Sequence, residues 1–275
     1  MKLVCLVENT CSVPGLEGEH GLSLYLEQGE RKVLFDVGKT GLFLKNAALL
    51  GVDLRRVDTV VLSHGHYDHG GGLLDFLALN PYAAVWMQKG ALERHYSRRA
   101  SGEIADIGLA PELEGHPQVL VVDGNHGLQD GMFLFSRLQD RLLWSEANRV
   151  LLERDGDGYR EDPFFHEQHL LIQSDTGKLV LLAGCAHRGI VNIVSAAAAL
   201  CGRAPDVVIG GFHLSIPSQG KMVSPELVTE TARQLLRYPS QYYTCHCTGT
   251  PAFELMKEQM GDRLCWLSTG TTLTL

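Results

Sequence analysis

Six consecutive residues, His64-Gly65-His66-Tyr67-Asp68-His69, hold four side chains able to bind a metal. They follow the apolar run Thr59-Val60-Val61-Leu62-Ser63 and precede three glycines, Gly70, Gly71 and Gly72. A buried strand delivers ligands to one edge of a sheet, and a glycine turn lets backbone pass close to an ion. In extended chain His64 and His66 point to the same side and suit one metal, because the side-chain period is two. Asp68 and His69 lie past the bend and can turn towards a second. Neutral imidazole and carboxylate bind zinc, iron or manganese, so one or two divalent ions are expected, zinc foremost. A His-rich surface loop is the bland alternative; the strand before it and the glycines after it weigh against that reading.

Three further histidines, His187, His213 and His246, each sit just past an apolar run. That repeated placement could turn all three into one cleft at the ends of strands, although a buried, hydrogen-bonded histidine is the competing reading for each. His187 is the candidate to complete the first metal with His64 and His66. Cys245 and Cys247 flank His246, and on a strand they would point away from it as core thiols.

Hydrophobic periodicity supplies the frame for these ligands. Strands are expected over 3–8, 22–27, 31–37, 58–63 and 83–87, with helices over 42–50, 71–79 and 91–99. Residues 100–118 read as an irregular loop over the site. Beyond them, strands are expected over 118–122, 131–135, 150–154, 170–174, 178–183, 207–210, 242–245 and 271–275. Helices are expected over 189–200, 224–237 and 250–260. Spacing alone gives a mixed α/β fold. With no proline- or serine-rich linker, residues 1–275 read as a single domain.

Composition narrows the partners. Hydrophobic residues make up 45% of 275, enough for a sizeable core, and the net charge is −8. A general nucleic-acid or membrane-surface binder wants a basic patch, so a small-molecule partner is expected instead. Arg94, Arg98 and Arg99 form a local basic cluster, and a solvated helix face accounts for it at least as well. The opening residues are too short for a secretory leader, and no run is long enough for a membrane span. Seven cysteines without scaffold spacing fit a reducing interior, which makes the cytoplasm the expected location.

The pattern H-x-H-x-D-H after a buried strand resembles the signature of the metallo-β-lactamase superfamily. Val33-Leu34-Phe35-Asp36-Val37-Gly38 is similar to that superfamily's early strand ending in Asp-x-Gly. The stretches Leu182–Asn192, Gly210–Leu214 and Thr244–Gly249 resemble a narrower group, labelled dihydropterin ribofuranosylaminobenzene phosphate synthase-like. The resemblance implies a four-layer αββα sandwich. It implies His246 as the last ligand of a second metal with Asp68 and His69, and His213 as a proton donor, by similarity to phosphodiesterase branches. Asp68 belongs to the reacting groups as well as to the ligands. Asp36 would orient a metal-bound histidine.

The chain departs from the superfamily at Gly184-Cys185, where a Gly-Asp is usual. Either Cys185 ligates as thiolate, or His187 takes over. Between the signature and that position, His166 and Glu167 contend for one further ligand place. The leading function is hydrolysis of a small anionic or phosphorylated ester or phosphodiester by a metal-activated water. The alternatives are a synthase or transferase on a pterin or phosphoribosyl substrate, and a non-enzymatic metal or ligand sensor. A redox di-iron role is weaker, because that branch has Glu where His66 stands.

Overall fold

Two seven-stranded sheets face each other in the computed structural model, which describes residues 1–275 apart from the side chain of residue 218. The first sheet runs in the order Thr272–Thr274, Lys2–Val7, Ser23–Gln28, Arg31–Phe35, Thr59–Val61, Ala84–Gln88, Val119–Val122. The second runs Leu264–Trp266, Gln241–Thr244, Val207–Gly210, Leu179–Leu182, Gln168–Gln173, Met132–Ser136, His126–Gly127.

Alternation along each strand decides what lies between the sheets and what lies outside. Leu3, Cys5, Leu24 and Leu26 pack inward with Leu170, Ile172, Val180, Leu182 and Ile209 of the other sheet. Their neighbours Val4, Leu6 and Tyr25 point outward and meet helices Leu42–Leu49 and Leu73–Leu79 through Phe43, Leu73 and Phe76. On the other side Leu171, Leu181, Val208 and Tyr242 meet helices Ile190–Cys201, Pro225–Leu235 and Thr250–Met260 through Ile193, Val228 and Met256. The result is the expected four-layer αββα sandwich. Strands buried on both faces read as near-continuous apolar runs, as Leu179–Leu182 and Val207–Gly210 do.

One edge of this sandwich positions everything that follows. Arg31–Phe35 runs parallel to Thr59–Val61, and Leu179–Leu182, Val207–Gly210 and Gln241–Thr244 are mutually parallel in order. Their carboxyl ends therefore fall together, which is where open α/β sheets place ligands. Gln168 ties the two sheets at that edge: its N–H donates to Ser63 O (2.7 Å) and its Nε2 to Leu62 O (2.8 Å).

Two expectations fail in residues 91–118. No helix spans 91–99; His95–Arg98 is a strand in a separate four-stranded sheet with Ile104–Asp106, Leu151–Asp155 and Gly158–Glu161. Burial there alternates, with His95 and Ser97 inside, so pairing with a distant strand overrides the local helical pattern. The Arg94, Arg98 and Arg99 cluster is thus not a helix face. Residues 100–118 are also less irregular than expected, since Ile104–Asp106 is one of these strands. Leu264–Trp266, unanticipated, adds an edge to the second sheet. Among the described residues, no helix is long and apolar enough to cross a membrane.

Candidate metal centre

Five strand ends deliver the candidate residues to this edge. Asp36 follows Arg31–Phe35, His64 follows Thr59–Val61, and Cys185 and His187 follow Leu179–Leu182. His213 follows Val207–Gly210, and His246 follows Gln241–Thr244. Asp36, Ala186, His213 and His246 have φ of 58°, 57°, 49° and 50°, a left-handed region costly for side-chain-bearing residues. Such strain persists only where the surroundings over-determine it.

Hydrogen bonds at Nδ1 orient four imidazoles. Asp36 Oδ1 accepts from Ser63 N (2.7 Å), and its Oδ2 accepts from Ser63 Oγ (2.8 Å) and lies 2.6 Å from His69 Nδ1. With its proton on Asp36, Ser63 Oγ accepts from His64 Nδ1 at 2.8 Å. His187 Nδ1 faces Asn148 Oδ1 (3.2 Å), whose amide is oriented by donating Nδ2 to His187 O (2.8 Å). His246 Nδ1 faces Asn9 Oδ1 at 2.7 Å. Each Nδ1 has an acceptor, so each Nε2 is left to point into the centre. There His64 Nε2 and His187 Nε2 are 3.3 Å apart, and His69 Nε2 and His246 Nε2 are 3.2 Å apart.

These nitrogens belong to overlapping groups whose ligand atoms lie within 4.8 Å of one another: Asp68, His69, Cys185 and His246; His64, Cys185 and His187; and His64, His66 and Asp68. The first joins the expected second-metal trio and adds Cys185. The other two link His64 to His187 and to His66, so the expected first-metal trio is gathered through His64 rather than as one tight triangle. Cys185 Sγ, 3.1 Å from His69 Nε2, stands between the two sides. Gly184 beside it is required by space, since a Cβ there would lie 2.1 Å from Ser63 Oγ.

Burial sets the charge states. Burial and then neighbouring imidazoles push His64, His66 and His187 well below the ordinary histidine range, keeping them neutral. Burial would also lower His69, but the Asp36 and Asp68 carboxylates outweigh it and lift that ring to about 9. Asp68 is desolvated too, which alone would raise it; His69 and His246 hold it well below the usual carboxylate range. Burial keeps the Cys185 thiol well above its ordinary value. His66 Nε2 and both ring nitrogens of His213 are buried with no hydrogen-bond partner among the described residues.

Neither contender for a further ligand place belongs to the three groups above. Glu167 accepts the N–H groups of His187 (2.7 Å) and Arg188 (2.9 Å), and burial pushes its carboxyl up to about 7 against those bonds. His166 lies with His66, His95 and Asp162 in a fourth group of the same tightness. Its Nδ1 accepts from Gly65 N (3.0 Å), so in the metal-free chain its proton sits on Nε2, which faces Asp162 Oδ2 at 3.2 Å. Cys247 departs from expectation. His246 begins a 3-10 turn rather than continuing the strand, so only Cys245 enters the core, while Cys247 turns inward to Cys185 and His213.

His20, Asn9, Asn148, His95 and Asp162 were not anticipated. His20 Nε2 lies 3.3 Å from Asp68 Oδ2, and burial followed by the His246 charge lowers it to about 4. Asn9, just past the first strand, had a positional signal in common with the ligands; Asn148 had none. A cavity of about 90 Å³ opens on Asp68, Cys185, His187, His213 and His246, walled by Ile107, Val150, Leu151 and Ile216, with Arg99 beside it. A larger one, about 770 Å³, is lined by Arg94, Arg137, Arg154 and Arg160 and touches none of the two ligand sets.

Comparison with known proteins agrees with this architecture. The chain is 27% identical over 269 residues to the 7,8-dihydropterin-6-methyl-4-(beta-D-ribofuranosyl)-aminobenzene-5'-phosphate synthase of Methanocaldococcus jannaschii, covering 89% of this chain and 86% of that protein. The crystal structure of Tm1679, described as a metal-dependent hydrolase of the beta-lactamase superfamily, is similar with a TM-score of 0.80 at 28% identity, covering 100% of this chain and 99% of that one. Zn(2+)-bound PqqB from Methylobacterium extorquens shares the fold, with a TM-score of 0.61 at 14% identity over 100% of both chains. The family model for the metallo-beta-lactamase superfamily matches residues 16–181, more than half of the chain and including the whole His64–His69 loop. Sheet order, loop and family match agree: this chain belongs to the metallo-beta-lactamase superfamily.

Proposed function

We propose that the protein is a metal-dependent hydrolase of small anionic or phosphorylated esters or phosphodiesters. The observation that carries this reading is the inward set of Nε2 atoms, each freed by an acceptor on its own Nδ1. His64, His66 and His187 would hold one divalent ion, and Asp68, His69 and His246 a second, with Cys185 between them. The donor set of imidazole, carboxylate and thiolate suits zinc, with iron or manganese as the other candidates. Such ions supply Lewis acidity and a nucleophilic water near neutral pH.

The chain's own residues do the remaining work. Asp36 and Ser63 hold two ligand histidines in the required tautomer. His213 lines the same cavity with its ring nitrogens unpartnered and hands a proton to the leaving group. Asp68, at the mouth beside His20, orients the attacking water. The walls around Ile107 and Leu151 exclude bulk solvent. All seven cysteines are free thiols, which supports a reducing compartment such as the cytoplasm.

A second reading is a synthase or transferase that uses the same ions as Lewis acids without water as nucleophile. It is favoured by the similarity to the M. jannaschii synthase. The deciding experiment loads the chain with zinc, manganese or iron and assays phosphodiester and carboxylic ester substrates beside His213→Ala. Metal-dependent turnover that falls by about 100-fold or more in the variant supports hydrolysis with His213 as acid. Full metal loading without turnover on any ester overturns it in favour of the synthase.

A further inference from the structure

The residues between the first ligand set and the small four-stranded sheet form a hydrogen-bonded unit that the proposed reaction does not use. Gly65, between His64 and His66, donates its N–H to His166 Nδ1 (3.0 Å). That bond leaves the His166 proton on Nε2, which donates to Asp162 Oδ2 at 3.2 Å. The same oxygen lies 3.0 Å from His95 Nδ1, and Asp162 Oδ1 accepts from Phe164 N at 2.6 Å. His95 Nε2 in turn faces Gly90 O at 3.1 Å, and the His95 and His166 rings lie 3.9 Å apart. All three side chains are buried.

This unit touches both halves of the first ligand set. His166 reaches the backbone of the His64–His66 loop. Phe164, two residues earlier and held at φ 55°, stacks flat on the His187 ring, 4.2 Å between centroids and 4° between planes. His66 is walled by His95, His166 and Phe164 at 5.6, 5.6 and 6.2 Å between centroids. Gly65 is also pressed onto residues 91–95, since a Cβ there would lie 2.3 Å from Ala91 O and 2.8 Å from His95 Nε2. One short stretch, 162–166, therefore sets where the His64–His66 loop stands relative to His187. The four imidazole and carboxylate groups resemble a third metal site by proximity, but the His166 tautomer argues for a clamp.

We infer that Asp162, His95 and His166 are positioning residues that hold the His64–His66 loop against His187 and so set the metal affinity of that ligand set alone. The inference rests on the assignment of ligands proposed above, and its test separates the two. In a His246→Ala chain, whose remaining metal site is the first, Zn²⁺ affinity is measured by chelator competition with and without Asp162→Asn. The same pair is measured in a His187→Ala chain, whose remaining site is the second.

The expected result is a loss of roughly 10–100-fold in the first background and less than twofold in the second, as for groups that orient ligands from behind. His166→Asn, which keeps an acceptor near the Nδ1 position, is expected to retain more affinity than His166→Phe, which keeps none. Urea unfolding of the metal-free chains reports whether each variant is folded. Equal losses in both backgrounds, or none in either, would overturn the clamp. If neither background binds Zn²⁺ before Asp162 is touched, the ligand assignment itself has failed. If Asp162→Asn instead removes a third equivalent of metal from the parent chain, the cluster is a metal site and not a clamp.

Discussion

Replacing Asp36 by asparagine isolates the carboxylate that organises the centre. Asparagine tolerates the left-handed conformation that Asp36 adopts at φ 58°, so the backbone is left alone. Asp36 Oδ2 faces His69 Nδ1 at 2.6 Å and Ser63 Oγ at 2.8 Å, while Oδ1 faces Ser63 N at 2.7 Å. An amide group offers one acceptor where three donors converge. With nitrogen at the Oδ2 place, Ser63 can turn its hydroxyl, but His69 Nδ1–H meets a donor. With nitrogen at the Oδ1 place, the buried Ser63 N–H is orphaned. Either orientation loses one charge-assisted bond or strands one buried donor, about 1.5–3 kcal/mol of stability. His69 can escape by moving its proton to Nε2, which blocks the nitrogen that faces His246 and Cys185. Metal affinity of that set should then fall by roughly 10–100-fold. Urea unfolding of the metal-free chain and chelator competition read the two effects. A variant within about 0.5 kcal/mol of the parent, binding metal within twofold, would refute the reasoning, because surface changes commonly fall in that range.

Three further outcomes are expected. Gly184→Ala drives a Cβ to 2.1 Å from Ser63 Oγ and should cost about 1–3 kcal/mol in urea unfolding while weakening metal binding. Cys185→Ser, at the position common to both sides, should lower metal stoichiometry or weaken the second ion at least tenfold; unchanged titration would make Cys185 a bystander. The His69 ring sits at about 9 in the folded chain against 6.5 ordinarily, so its contribution to metal-free stability is complete below about 6.5 and lost as pH rises through 9. Unfolding midpoints measured across that window should decline, and Asp36→Asn should flatten the decline. A metal held as proposed would displace the His69 Nε2 proton and, with Cys185 as thiolate, the thiol proton, so calorimetry in buffers of different ionisation enthalpy should show about two protons released near pH 7.5 and about one in Cys185→Ser.

The candidate ligands nearest in sequence were brought together as expected because their geometry is local. His64, His66, Asp68 and His69 follow one strand, and the period of the chain says which sides they face. His187, His213 and His246 were legible by their placement after apolar runs, since parallel strands bring their carboxyl ends to one edge. Asn148 and Asp162 were not, because their roles depend on which nitrogen of a distant histidine needs an acceptor. His95 was hidden for a related reason: residues 91–99 have a helical local pattern, and only pairing with Leu151–Asp155 makes them a strand. Cys247 was misplaced because strand alternation was carried one residue too far, past the positive φ of His246.

The most direct test is metal content per chain after purification without chelators, for the parent beside His64→Ala/His66→Ala and His246→Ala. The account expects two ions in the parent and no more than one in each variant, with each variant still folded. Unchanged content in the His64/His66 variant, or a folded parent that takes up no divalent metal, would contradict it.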